Sequence, residues 1–139
     1  MLHDSLTVAA SAFQAFDFDA DGDTDLFIAG TDHSHNNVAR ILYNQREFYF
    51  KPQDVVPLSG SSDKVDINYD GAFDMLLAGE DDNDKARLMA LINNGRGQFA
   101  AHDTLRAASA AKLLAADFNS DGLADLNLSG YEAVDTVNF

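Results

Sequence analysis

Cysteine is absent from this 139-residue sequence, so the chain can form neither a disulfide framework nor a thiolate metal site. Basic residues are scarce: 9 lysines and arginines stand against 23 aspartates and glutamates, which gives a net charge of −14. A surface of this sign repels nucleic-acid backbones and anionic membranes, and it attracts cations. The composition therefore argues against a nucleic-acid partner and favours a metal ion.

Long apolar runs are also missing. No stretch approaches the roughly 18 residues of a transmembrane helix, and the N-terminal segment lacks the basic start and apolar centre of a secretory signal. We expect a soluble chain without membrane insertion, and any export signal lies outside these residues. With 46% hydrophobic residues, the sequence still contains enough apolar side chains for one packed domain.

What the sequence does contain is one acidic segment in three copies. They are DFDADGDTDL from Asp17, DINYDGAFDM from Asp66 and DFNSDGLADL from Asp117. The similarity extends further, because the segments NQREFYF and NNGRGQF each place an asparagine six residues before a phenylalanine. The copies begin about fifty residues apart, and a period of this length indicates a repeat architecture.

The apolar pattern within a unit predicts four β-strands, which in the first unit are 11–18, 25–29, 37–44 and 47–50. Four strands at this period are typical of a propeller blade. The alanine-rich segment 105–117 has helical propensity, but its counterparts do not, and equivalent segments should share a structure. We therefore predict an all-β fold: a β-propeller segment of about three four-stranded blades, forming an incomplete ring that only a longer chain or oligomerisation closes.

The repeat period also predicts how the chain is divided. We expect one partial β-propeller over residues 1–139, with units at approximately 9–58, 59–107 and 108–139. Residues 1–8 are expected to form the outer strand of a preceding or partner blade. Because propellers typically have four to eight blades, either the ring belongs to a longer chain or copies of this chain associate head to tail to complete a propeller.

Oxygen atoms at alternating positions make each acidic segment a candidate calcium loop. Ca²⁺ takes six to eight oxygen ligands, and a glycine at position six permits the tight turn around the ion. Positions one, three, five and nine offer side-chain oxygens, and position seven offers a backbone carbonyl. The predicted ligands are Asp17, Asp19, Asp21, Asp23 and Asp25 in loop one, Asp66, Asn68, Asp70, Ala72 and Asp74 in loop two, and Asp117, Asn119, Asp121, Leu123 and Asp125 in loop three. We expect about three Ca²⁺ sites, with the tightest in loop one, which has the most ligand carboxylates.

Two alternatives compete with a calcium loop of this kind. An EF-hand begins with the same residues but needs a glutamate at position twelve and flanking helices, whereas position twelve here is Ile28, Leu77 or Leu128. The other alternative is an Asp-Gly hairpin turn without metal. A turn alone does not require oxygen at four positions in all three copies, so we favour calcium over both.

The pattern D-x-[DN]-x-D-G-x-x-D resembles the calcium loops of integrin-alpha-like β-propeller repeats, the FG-GAP and VCBS repeat superfamily, and the resemblance spans essentially the whole chain. The Phe-Gly and Gly-Ala-Pro signatures of the FG-GAP variety are absent, which moves the resemblance toward the VCBS-like branch. It implies a calcium-binding module that Ca²⁺ rigidifies and that serves extracellular adhesion or the recognition of a protein or carbohydrate ligand. It also implies a location that is extracellular, at the cell surface or periplasmic.

Other functions are open beside this one. The main alternative is a purely structural spacer module of a larger extracellular protein, and a weaker one is a fragment of a propeller hydrolase or lyase. No serine, cysteine or histidine stands in a recognisable nucleophile motif, and the paired carboxylates are better explained as metal ligands than as a general acid and base. We therefore predict no enzymatic activity and no catalytic residues.

Overall fold

The structure, a computed structural model, describes residues 9–47, 49–103 and 109–131. Within these ranges it contains ten strands and no helix, and hence no helix long and apolar enough to cross a membrane. The strands are β1 (Ala9–Phe16), β2 (Asp25–Thr31), β3 (Asn37–Asn44), β4 (Phe50–Val56), β5 (Leu58–Val65), β6 (Asp74–Asp81), β7 (Ala86–Asn93), β8 (Phe99–Asp103), β9 (Ser109–Ala116) and β10 (Asp125–Tyr131). The predicted all-β class is confirmed.

The strands form three antiparallel sheets that follow the order of the chain. The first sheet is β1-β2-β3-β4, the second is β5-β6-β7-β8, and the third pairs β9 with β10. Neighbouring strands that are also consecutive in sequence give the up-and-down arrangement of a propeller blade. None of the sheets closes on itself in the described ranges, which is consistent with an incomplete β-propeller segment.

Three of the four strands in the first sheet differ from the sequence prediction in their bounds. The second strand continues to Thr31 instead of ending at residue 29, and the first begins at Ala9 instead of residue 11. The first strand ends at Phe16 rather than at residue 18, because the acidic loop begins directly after it. The fourth strand is Phe50–Val56, so the predicted strand 47–50 is wrong. Arg46 and Glu47 adopt positive φ values of 78° and 51°, which are incompatible with a strand and form the turn before β4.

Residues 109–116 of the alanine-rich segment form strand β9, as predicted, and residues 105–108 lie outside the described residues. Strand β9 pairs with β10 from Ala116 to Lys112 and again at Ser109, and its other edge faces β5. There the N–H of Leu113 donates to Ser61 Oγ at 3.1 Å, and the N–H of Ala115 donates to Asp63 Oδ2 at 2.8 Å. Because these partners lie outside the segment, tertiary contacts override its local helical propensity.

Apolar side chains between the sheets form two cores. The larger lies between the first and second sheets and includes the fully buried Phe27, Ile41 and Leu77. The smaller lies between the second and third sheets and includes Ala78 and Leu113. Successive residues of a strand point to opposite faces, so Leu77 and Ala78 serve the two cores in turn. The second sheet is therefore packed on both faces, as a blade is between its neighbours.

Candidate metal centre

Each acidic loop connects the first two strands of its sheet, and all three share one backbone conformation. Positive φ values recur at positions four and six; they are 61° and 97° at Ala20 and Gly22, 58° and 90° at Tyr69 and Gly71, and 62° and 84° at Ser120 and Gly122. A Cβ added at any of these glycines would meet nothing within 4 Å. The left-handed backbone alone therefore explains why position six is glycine.

The first aspartate of each loop fastens the turn. Asp17 accepts hydrogen bonds from the N–H groups of positions five and six, at 3.1 and 2.9 Å. Asp66 and Asp117 accept the same two bonds at the same distances. The position-five carboxylate accepts a bond of 2.8 or 2.9 Å from the position-seven N–H, which belongs to Asp23, Ala72 or Leu123. The loops thus share one hydrogen-bonding pattern as well as one backbone.

Three carboxylates converge in loop one. One oxygen each of Asp17, Asp19 and Asp21 lies within 4.8 Å of the others. Ligand oxygens stand about 2.3–2.6 Å from Ca²⁺, so two ligands of one ion can be up to about 5 Å apart. The spacing therefore suits ligands of a single ion. Asn68 and Asn119 occupy the position of Asp19 in the other loops, which consequently carry one fewer charge there.

The ninth-position aspartates of loops one and two are completely buried and are not part of that convergent group. Both oxygens of Asp25 and of Asp74 accept hydrogen bonds of 2.8 or 2.9 Å from backbone N–H groups. One donor is position two of the same loop, and the other is the last residue of the third strand, Asn44 or Asn93. Each oxygen retains a second lone pair, so the residue can still bind a cation while it anchors the loop to the sheet.

Loop three has only the first of these two anchors in the described residues. Asp125 accepts a hydrogen bond of 2.9 Å from the N–H of Phe118, at position two of its loop. It is partly exposed, and the ring of Phe118 is 55% exposed. The segment that would correspond to a third strand falls in 132–139, outside the described residues.

Burial and mutual repulsion raise the pKa values of Asp19, Asp25 and Asp74. Burial, followed by the charge of Asp25 and those of the other loop carboxylates, raises the pKa of Asp19 from 3.8 to about 6. Burial also raises the pKa of Asp25 and of Asp74, although the backbone hydrogen bonds to them act in the opposite direction. A raised carboxylate pKa means that the folded chain disfavours the negative charge, and a bound cation would reverse this.

A buried asparagine that the sequence interpretation missed connects loop one with the second sheet. Asn93 is 1% exposed. Its Nδ2 donates to the carbonyl oxygens of Phe18 at 2.9 Å and Phe73 at 3.1 Å. Its Oδ1 accepts from the N–H groups of Gly95 at 2.9 Å and Gly97 at 3.1 Å. One side chain therefore holds two acidic loops and the turn 94–98.

A signal for this residue was present in the sequence. Asn93 and Asn44 are the asparagines that stand six residues before a phenylalanine in the segments NNGRGQF and NQREFYF. Asn44 makes the corresponding bond within the first sheet, where its Nδ2 donates to the carbonyl of Thr24 at 3.2 Å. The repeated spacing thus marks a structural asparagine at the end of the third strand in each of the first two sheets.

The turn 94–98 also packs directly on loop one. A Cβ added at Gly97 would lie 2.8 Å from Asp19 Cβ and 2.8 Å from Tyr43 Cε1. The Tyr43 hydroxyl donates a hydrogen bond to the Gly97 carbonyl. Loop one therefore contacts both sheets, although its tip, residues 20–22, is exposed.

The stacked antiparallel sheets and repeated acidic loops define a repeat module of the β-propeller type. The family model of the FG-GAP-like repeat matches residues 66–126, from the first position of loop two to one residue beyond the ninth position of loop three. This match supports FG-GAP-like repeats in a segment that is less than half of the chain. The chain has no significant match among curated proteins or among solved structures.

Proposed function

We propose that the protein is a calcium-binding β-propeller module in which each of the three acidic loops binds one Ca²⁺. The observation that carries the proposal is the recurrence of one loop geometry in three segments that agree at the oxygen-bearing positions and at the glycine. Side chains of positions one, three, five and nine and the carbonyl of position seven would hold the ion. Such a hard-oxygen set suits Ca²⁺, and the bound ion would supply the positive charge that the clustered carboxylates lack.

Calcium binding would stabilise the folded chain. In the absence of a cation, the carboxylates of loop one repel one another at close range, and this repulsion opposes folding. The ion removes that cost, so binding and folding are coupled. Because loop one lies between two sheets and is bonded to Asn93, the ion would also stabilise the contact between those sheets.

The proposed role is recognition or adhesion outside the cytoplasm. Extracellular calcium modules have dissociation constants of about 10⁻⁴–10⁻³ M, and we expect affinities in this range. A structural spacer is the second candidate. Repeats of this family are typically non-enzymatic, and we propose no catalytic role.

Head-to-tail association of copies is part of the proposal, and the exposure of one residue supports it. Phe13 and Leu113 occupy equivalent positions in the first and third repeat units, four residues before the first aspartate of each loop. Leu113 is 8% exposed because it packs on the preceding sheet, whereas Phe13 is 59% exposed. We expect light scattering to show a mass above that of the monomer, and a strict monomer would contradict this part.

Calcium titration tests the central claim. Calorimetry of chelator-treated protein should show three sites, and Asp17→Asn should remove one of them. Asp84→Asn is the matched control, since it removes the same charge from an exposed turn outside the loops. The absence of both binding heat and thermal stabilisation at about 10 mM Ca²⁺, well above the affinity of weak extracellular sites, would overturn the proposal.

A second experiment distinguishes recognition from spacing. A glycan array and a protein pull-down are performed with Ca²⁺ and then with chelator. Calcium-dependent capture of a defined ligand supports recognition. Intact calcium binding without any capture favours the spacer.

A further inference from the structure

A cleft of about 490 Å³ opens beside loop one, between β4 of the first sheet and the turn 94–98 of the second. Its wall includes Asp19 from the loop, Lys51 and Asp54 from β4, and Arg96 from the turn. The volume falls in the range of sites that hold small molecules. The cleft is therefore large enough for one or two sugar units.

Two basic side chains line this cleft, although the chain as a whole is acidic. Lys51 and Arg96 are exposed, and neither takes part in the ion pairs found among the described residues. The two acidic residues of the wall, in contrast, are assigned to other partners. Asp54 forms an ion pair with Arg40, in which Oδ1 is 2.5 Å from Nε, and Asp19 is a proposed calcium ligand. Ca²⁺ in loop one would reduce the negative charge beside the cleft, so that Lys51 and Arg96 could make charge-assisted contacts with a carboxylate.

Amide groups also line the cleft. Gln45, Gln53 and Gln98 line it and are exposed. An amide both donates and accepts hydrogen bonds, as a sugar hydroxyl does. The aromatic ring of Phe99 packs inward against Phe18, with centroids 5.7 Å apart, and belongs to the core. The cleft thus offers hydrogen bonds and positive charge rather than an open stacking surface.

We propose that this cleft binds an acidic sugar, with the uronate carboxylate on Lys51 and Arg96 and the hydroxyl groups on the glutamine amides. The inference rests on the proposed calcium function, because a cation in loop one would reduce the negative charge of Asp19 and its neighbouring carboxylates, which otherwise repel an anionic sugar. It assigns a ligand class to the interface between the first two sheets.

NMR titration of the ¹⁵N-labelled protein with glucuronate tests this inference, with glucose as the neutral probe of the same size. In Ca²⁺, glucuronate should cause saturable shifts of the glutamine side-chain signals, and glucose should cause much smaller ones. The double variant Lys51→Met and Arg96→Met should weaken glucuronate binding by about tenfold or more, since it removes two charge-assisted contacts. Lys85→Met, an exposed lysine of the β6–β7 turn, is the control and should leave binding unchanged.

The outcomes separate the inference from the calcium function. Loop-one amide signals report calcium binding independently of the sugar. If these signals respond to Ca²⁺ but glucuronate gives no saturable shift, or if the control weakens binding as much as the double variant, the acidic-sugar site is refuted and the calcium function stands. Glucuronate binding of equal strength in chelator would refute its dependence on calcium. A loop that does not respond to Ca²⁺ at all contradicts the proposed function itself.

Discussion

Replacement of Asp19 by asparagine should stabilise the calcium-free protein and reduce its response to calcium. Burial, with the charge of Asp25 as the next contribution, raises the Asp19 pKa to about 6, so the folded chain disfavours this carboxylate when it is ionised. An amide keeps the oxygen and loses the charge. The position-three residue of loop three is already Asn119, whose Oδ1 accepts from the position-five N–H at 3.1 Å, against 3.2 Å for Asp19. The loop therefore tolerates asparagine without loss of this hydrogen bond.

The magnitude follows from the pKa of Asp19. A rise from 3.8 to about 6 corresponds to an upper limit of about 3 kcal/mol, at about 1.4 kcal/mol for each pKa unit. Water reaches the partly exposed carboxylate and screens much of the repulsion, so we expect a stabilisation of about 1 kcal/mol. For a chain of this length, that corresponds to a rise in Tm of about 3 °C.

Differential scanning calorimetry near pH 7.5 would measure this effect in EDTA and in CaCl₂. Asp84→Asn is the control, because any gain from lowering the overall negative charge should appear there as well. In EDTA, Asp19→Asn should melt above both the wild type and the control, and in CaCl₂ it should gain less from calcium than the wild type. If Asp19→Asn melts at or below the wild type in EDTA, the folded chain does not disfavour the ionised Asp19 carboxylate and the reasoning is refuted.

Three further changes probe how loops one and two are held. Asp74→Ala should lower the free energy of unfolding by about 3 kcal/mol in EDTA, because it leaves two backbone N–H groups without their carboxylate partner. Urea unfolding measures this change, and a loss below about 1 kcal/mol would contradict the prediction. Gly97→Ala should lower the free energy of unfolding by at least about 1 kcal/mol more than Gly22→Ala does in the same assay. Both residues have positive φ, but only at Gly97 would the added Cβ clash with neighbouring atoms. Equal losses would mean that the turn 94–98 is not packed on loop one. The calcium-free protein should become more stable as the pH falls from 7 to 5, because the folded chain binds a proton at Asp19 with a pKa of about 6 and the unfolded chain with one near 3.8. This contribution to stability is complete below the pKa of the unfolded chain, 3.8, and is lost as the pH rises through the pKa of the folded chain, about 6. A Tm in EDTA that decreases when the pH is lowered from 7 to 5 would argue against it.

The parts of the fold that depend on local sequence could be predicted. The acidic loops are specified within ten residues, by alternating oxygen atoms and by a glycine whose φ no other residue adopts as readily. Strand β3 occupies the predicted residues 37–44 because its apolar side chains pack on both faces. For both features, the pattern that specifies the element lies within the element itself.

The fourth strand could not be found in this way, because it is an edge strand. Residues 47–50 are rich in aromatic side chains, whereas β4 contains Lys51, Pro52 and Asp54 and is mostly exposed. An edge strand needs few apolar residues, and charged residues or proline protect its open side from further pairing. The apolar pattern therefore pointed to the turn instead of the strand that follows it.

The role of Asn93 is also invisible to local reasoning, and it determines how the candidate metal centre is built. Its hydrogen bond to the Phe18 carbonyl joins residues that are 75 positions apart in the chain. Asp25 acts over a shorter range, since it joins loop one to the end of β3 through the N–H of Asn44. Loop one is thus fastened at its ninth position to its own sheet and at its second position to the next one. If loop one binds Ca²⁺ as proposed, the ion would act on both attachments and would therefore stiffen a surface that two sheets share.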